Sequence, residues 1–184
     1  MDLKREILRE HSRRQMLRIA TYAGASPARF KALVSVYLAG PYRITQRAAW
    51  PLGTCVERDP ALIVPHLKKI LDFLKKPGIH DAVKRNTMRL LQFADIPHRY
   101  HGQVADFCFT FLSSKKEPVA VKVFAMSVLR DIAQTHPELK NELKLLIEDQ
   151  LPYASAAFRS RGLKILKTLV DDNPHTVVKK PPTT

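Results

Sequence analysis

Residues 117–137, EPVAVKVFAMSVLRDIAQTHP, contain the apolar pattern from which the fold of this chain can be predicted. Ala125, Met126, Leu129 and Ile132 recur at helical spacing, and Lys122 lies about one turn earlier. A proline closes the segment. A small residue followed by a larger apolar residue, with two more apolar positions three residues apart, predicts a helix that packs between neighbours along one stripe.

The same pattern recurs along the chain at intervals of about 38 residues. Its other copies are Arg159, Gly162, Leu163, Leu166 and Leu169; Lys84, Thr87, Met88, Leu91 and Ala94; Thr45, Ala48, Ala49, Leu52 and Cys55; and, more weakly, Arg13, Met16, Leu17, Ala20 and Ala23. Amphipathic segments that begin at Pro27, Pro60, His98 and Pro137 lie between these copies. Each repeat is therefore predicted to contain two helices.

A repeat of this length, with two helices, an opening proline and a basic residue ahead of a small-apolar core, resembles the HEAT repeat family and its armadillo-like relatives. The resemblance implies an all-α fold, a right-handed α-α superhelix of HEAT-like helix pairs (an α-solenoid). We predict a single domain over residues 1–172. It would comprise an N-terminal capping helix at 2–24 and helix pairs at 27–58, 60–96, 98–135 and 137–172, followed by a disordered tail at 173–184.

Prolines and cysteines fit this interpretation. Most of the 13 prolines fall at predicted helix ends, whereas Pro51 and Pro65 lie inside predicted helices and are expected to kink them. Cys55 and Cys108 fall in apolar helical stripes, where they are expected to be small buried residues.

The chain is strongly basic, with a net charge of +14, which favours an anionic partner. The basic excess leans towards the N-terminal helix and the second helices, which form the concave face in HEAT-like stacks. Charged residues interrupt every apolar run, so we predict no signal peptide and no membrane span. We expect a soluble, intracellular protein, located in the cytoplasm.

The repeat register predicts which side chains project beside one another from this face. The rows are mostly basic or polar, and they include Trp50, the only tryptophan of the chain. The predicted binding residues are Arg14, Arg18, Trp50, Arg85, Arg89, Arg130, Lys164 and Lys167. An aromatic ring between guanidiniums can stack on a base or hold a peptide side chain, and arginine binds phosphate or carboxylate with two hydrogen bonds. The alternative is that Trp50 fills a kink at Pro51 and that the basic residues only solvate the surface.

We predict no catalytic residue, no metal site and no small-molecule cofactor. Serine, histidine and aspartate form no recognised nucleophile motif, and no glycine-rich phosphate loop is present. His98 and His101 are three residues apart with Asp95 and Asp106 nearby, but no second cluster in the sequence completes a metal site. We interpret the pair as solvated residues at the start of a helix.

The function that we predict is a non-catalytic scaffold or binding module whose basic concave face binds an acidic partner, either a protein segment or nucleic acid. An enzymatic alternative follows from the resemblance, because a branch of alkylpurine DNA glycosylases shares this scaffold and a basic concavity. Such an enzyme would need a carboxylate beside aromatic side chains, for which Asp131 and Trp50 are the candidates. A third alternative is an adaptor that uses its convex face.

Overall fold

The structure is a computed structural model that describes residues 1–171, with side chains through residue 169. The α-helices are α1 (Leu3–Arg9), α2 (Arg13–Gly24), α3 (Pro27–Ala39), α4 (Tyr42–Arg58), α5 (Leu67–Leu74), α6 (Asp81–Leu91), α7 (His101–Ser113), α8 (Val119–Thr135), α9 (Leu139–Gln150) and α10 (Ala156–Asp171), with 3₁₀ segments at Pro60–His66, His98–Tyr100 and Leu151–Tyr153. These 171 residues contain no β-strand, so the predicted all-α class is confirmed. The predicted tail at 173–184 lies outside the described residues.

The even-numbered helices form one continuous layer. Helix α2 packs on α4, α4 on α6, α6 on α8, and α8 on α10. Helices α3, α7 and α9 form a second layer, in which α3 packs on α4, α7 on α8, and α9 on both α8 and α10. Each repeat therefore contacts its neighbours in a linear stack, which is the arrangement of an α-solenoid.

The repeated apolar stripe forms the core of the even-helix layer. In α8, Ala125, Met126 and Leu129 are each 0% exposed, and the equivalent residues of α4 and α6 are also buried. The last copy departs from the pattern, because Leu163 in α10 is 57% exposed although the adjacent Gly162 is buried. Within the described chain no later helix covers α10, so this side of the helix stays open.

The N-terminal segment differs from the predicted single capping helix at 2–24, because it folds as two helices. Asp2 caps α1 by accepting a hydrogen bond from the backbone N–H of Arg5. Glu10 then adopts an extended conformation, and the Ser12 hydroxyl accepts from the backbone N–H of Gln15 to start α2. A side-chain N-cap favours a new helix start at Ser12, which breaks the longer helix.

Prolines also shape the ends and interiors of the helices. Pro27 opens α3 directly after the N-cap Ser26, where a missing amide costs little. Pro51 lies inside α4, as the sequence predicts. Pro65 lies instead in the 3₁₀ segment Pro60–His66, and α5 begins only at Leu67. Among the described residues, no helix combines the length and the hydropathy of a membrane span.

A buried polar contact joins the two layers near the centre of the stack. The Tyr37 hydroxyl on α3 lies 2.7 Å from Oγ1 of Thr87 on α6, and both residues are buried. Burial raises the pKa of Tyr37 to about 12, because the phenolate would be desolvated. The Thr45 hydroxyl on α4 donates to the Tyr37 carbonyl at 2.9 Å. These bonds fix α4 and α6 relative to α3, and the surface between α4 and α6 is where the candidate site lies.

Candidate binding cleft between α4 and α6

A cleft of about 170 Å³ opens between α4 and α6, next to the turn that joins α1 to α2. Its lining includes three predicted binding residues: Trp50 from α4, and Arg85 and Arg89 from α6. The side chains that complete the polar part of the wall are His11, Gln46, Thr54, Glu57 and Asn86. We call this feature the α4–α6 cleft.

Trp50 takes part in both the core and the cleft. The residue is partly buried and packs against the hydrophobic core. Its ring makes an edge contact with His11, with ring centroids 5.5 Å apart and an interplanar angle of 64°. The same ring lines the cleft. Trp50 therefore packs against the core and also lines the cleft, and its role in binding stays a prediction.

Arg85 and Arg89 supply the positive charge of the cleft. They are four residues apart on α6, so their side chains project from the same helix face. Arg85 is partly buried and Arg89 is exposed. Neither guanidinium forms an ion pair or hydrogen bond with the residues that the structure describes. Glu57 is the acidic residue in the lining, so the two arginines leave the cleft with a positive excess.

The predicted basic residues on α2 do not line this cleft. Arg14 is exposed. Arg18 forms an ion pair with Glu6 of α1, with Nη2 and Oε2 3.5 Å apart. The pKa of Glu6 is lowered, chiefly because the Gln15 side chain donates to its carboxylate at 2.7 Å and secondarily because of Arg18. Arg18 thus has a partner within the N-terminal cap.

The remaining predicted residues lie farther along the stack. Arg130 on α8 is partly buried and donates from Nε to the carboxylate of its neighbour Asp131 at 2.7 Å. Lys164 and Lys167 are exposed on α10. The structure therefore brings together Trp50, Arg85 and Arg89, and leaves the other members of the row on separate helices.

Sequence reasoning missed several residues of the cleft, for different reasons. Glu57 lies seven residues, or two helical turns, after Trp50 on α4, so a further row two turns beyond that of Trp50 would have included it. Asn86 lies directly after Arg85 and was outside the rows. His11 lies in the turn before α2, and no repeat signal predicts that it reaches Trp50.

The two cysteines do not offer a nucleophile. Cys55 and Cys108 are free and buried, which agrees with the expectation from the sequence. Burial raises the pKa of the Cys55 thiol to about 11 and raises that of Cys108 further. Both thiols are thereby held in the unreactive protonated form near neutral pH.

Comparison with known protein families identifies the fold family of the chain. A model of the HEAT repeat domain family matches residues 3–169, which is nearly the whole described chain. No curated protein and no solved structure matches the chain. The stacked helix pairs described above are the architecture that this family match implies.

Proposed function

We propose that this chain, which belongs to the HEAT repeat family, is a non-catalytic binding scaffold that takes an acidic partner into the α4–α6 cleft. The observation that carries the proposal is the pair Arg85 and Arg89, whose guanidiniums have no partner among the described residues and which line the same cleft as Trp50. Unpaired arginine forks beside an aromatic face are suited to phosphate or carboxylate.

The size of the cleft limits what it can hold. A volume of about 170 Å³ accommodates one large side chain or a single nucleobase, but neither a whole nucleotide nor a long stretch of partner. Arg18 is paired with Glu6, and Arg130 is paired with Asp131. These two arginines therefore contribute less electrostatic attraction to an acidic ligand than unpaired arginines would. We therefore propose that recognition is centred on the cleft and that Arg14, Lys164 and Lys167 add longer-range attraction.

The test compares two double charge reversals of equal size. Arg85→Glu with Arg89→Glu changes the cleft. The matched control, Lys31→Glu with Lys69→Glu, changes two exposed lysines on α3 and α5 that do not line it. Each reversal in the cleft is expected to cost ~1–3 kcal/mol of binding, so the cleft variant should bind at least about tenfold more weakly than the control.

The probes are a labelled polyglutamate peptide and a labelled single-stranded oligonucleotide, with binding measured by fluorescence anisotropy at several salt concentrations. Trp50 supplies a local readout because it is the only tryptophan. A base stacked on the indole should quench its emission, whereas a carboxylate bound to the arginines should not. If both double variants lost the same amount of binding affinity, net charge alone would explain the binding, and the proposal would be overturned.

The enzymatic alternative requires an acid beside an aromatic ring. Asp131 does not line the cleft and accepts hydrogen bonds from Arg130, whereas Glu57 lines the same cleft as Trp50. The test is whether the full chain releases free base from alkylated DNA. If it does, and if Glu57→Gln abolishes this release, the enzymatic function replaces the proposed binding function.

A further inference from the structure

Three imidazoles meet at one end of the α7–α8 helix pair. His98 and His101 lie where the 3₁₀ turn His98–Tyr100 passes into α7, and His136 directly follows α8. One ring nitrogen from each residue lies within 4.8 Å of those of the other two. His101 and His136 are in closest contact, with Nδ1 of the first 3.0 Å from Nε2 of the second.

The outer hydrogen bonds of the two closest rings determine which nitrogens carry protons. Nε2 of His101 lies 2.8 Å from the carbonyl oxygen of Ile96, which only accepts, so this nitrogen must be the donor. Nδ1 of His136 lies 3.2 Å from a carboxylate oxygen of Glu138, so it is also a donor. In the neutral rings, the remaining nitrogens therefore direct two lone pairs at each other across the 3.0 Å contact.

Two facing lone pairs repel unless a cation lies between them, and the arrangement has the features of a metal site. In such sites the second ring nitrogen of a ligating histidine donates to a carbonyl or carboxylate, which fixes the tautomer and the direction of the ring. Two nitrogens bound at about 2.0–2.1 Å to a tetrahedral ion are roughly 3.3 Å apart. The observed separation of 3.0 Å is close to this value, and binding requires each ring to rotate by roughly 35° so that its lone pair points at an ion beside the line that joins the two nitrogens.

His98 supplies the third ligand. Its ring centroid is 5.1 Å from that of His101 and 4.9 Å from that of His136. Whereas His101 and His136 are partly buried and held by outer hydrogen bonds, His98 is exposed and can rotate towards them. Three imidazoles leave a fourth tetrahedral position for water or for a group from a partner.

We propose that His98, His101 and His136 bind a divalent transition-metal ion, for which Zn²⁺ is the best match. Imidazole nitrogen suits Zn²⁺ and its neighbours in the transition series, whereas Mg²⁺ and Ca²⁺ prefer oxygen. The ion would link the start of α7 to the end of α8, at the end of the helix pair that lies opposite the loop between the two helices. This site replaces the interpretation of His98 and His101 as a solvated pair, because the structure adds His136 to them.

The experiment uses the full chain after removal of metal with a chelator. Isothermal titration with Zn²⁺ is expected to show one equivalent bound, and titration with Mg²⁺ none. His101→Gln and His136→Gln should each weaken Zn²⁺ binding at least about tenfold. His80→Asn is the matched control, since His80 is outside the cluster and caps α6 by accepting from the N–H of Ala82, a role that asparagine also fills.

Two further measurements separate a ligand role from a structural one. Co²⁺ in place of Zn²⁺ should give the visible absorption of a four-coordinate ion in the parent and in His80→Asn but not in His136→Gln. Zn²⁺ should raise the melting temperature of the parent, because it binds the folded state, and should leave that of His136→Gln unchanged. If His136→Gln is unfolded in chelator by far-UV circular dichroism, His98→Gln at the exposed ligand takes its place.

Two results would overturn the site. Absence of Zn²⁺ binding to the parent would mean that the His101–His136 contact holds only a shared proton. Undiminished binding by the ligand variants would place the metal elsewhere in the chain.

Discussion

Replacing Gly162 by alanine tests the packing of the last helix in the described stack. Gly162 is buried in α10, and a Cβ at this position would lie 2.9 Å from Cγ2 of Ile147 on α9. That methyl is on a branched carbon of a residue that is 0% exposed, so it cannot swing away easily. Adding this one carbon therefore overpacks the contact between α9 and α10.

The magnitude follows from two opposing terms. Glycine to alanine in a helix interior gains ~1 kcal/mol from helix propensity, and overpacking costs ~1–3 kcal/mol. Gly162→Ala should therefore lose between ~0 and 2 kcal/mol of unfolding free energy. Gly53→Ala in α4 is the matched control, because no neighbouring atom lies within 4 Å of its new Cβ, and it should gain the full ~1 kcal/mol.

Thermal unfolding followed by far-UV circular dichroism measures the difference. For a chain of this size, 1 kcal/mol corresponds to roughly 2–4 °C, so Gly53→Ala should melt higher than the parent and Gly162→Ala at or below it. If Gly162→Ala stabilised the protein as much as Gly53→Ala does, α9 and α10 would not be in the tight contact described here.

Two further substitutions test the residues around the cleft. Trp50→Ala should cost ~1–3 kcal/mol in a urea titration, because the ring is only partly buried. A loss of ~0.5 kcal/mol or less, as for an exposed residue, or of clearly more than ~3 kcal/mol, as for a fully buried tryptophan, would contradict its placement between core and cleft. Tyr37→Phe should cost ~1–3 kcal/mol by leaving the buried Thr87 hydroxyl without its partner. The double variant Tyr37→Phe with Thr87→Val should be less damaging than the sum of the two single changes, and simple additivity would argue against the bond.

The architecture was predictable because the sequence repeats it. The spacing of Ala125, Met126, Leu129 and Ile132 and its copies about 38 residues apart indicate helices buried along one stripe, and these four residues are buried in α8. Burial of such a stripe depends mainly on local periodicity and on the presence of similar neighbours. Both the periodicity and the repetition can be recognised in the amino-acid sequence.

Departures from the repeat were harder to predict. The break between α1 and α2 depends on a single cap at Ser12, within a segment that reads as continuous helix. Leu163 has the apolar character of its repeat position and is nevertheless exposed, because the next helix that would cover it is missing from the described stack. Periodicity predicts the helix face on which a residue lies, but it does not predict whether another helix covers that face.

The candidate site was predicted in part. The helical rows put Trp50, Arg85 and Arg89 on the same side of the stack, and the three residues line one cleft, because residues at equivalent positions of stacked helices face the same way. Their role in binding stays a prediction. The rows did not predict that Arg18 would be paired with Glu6 of α1. Such a pair depends on where a non-repeating segment folds back, and the charge alone does not indicate it.

Short-range spacing in the sequence therefore predicts the repeated helices and the face of each helix that carries the apolar stripe. Which side chains meet at the ends and edges of the stack depends on the three-dimensional packing of the helices. His11 reaches Trp50 from an interhelical turn, and His136 meets His101 from 35 residues away. Contacts of this kind depend on the rotation and offset of packed helices and on the path of the turns, to which a periodic pattern is insensitive.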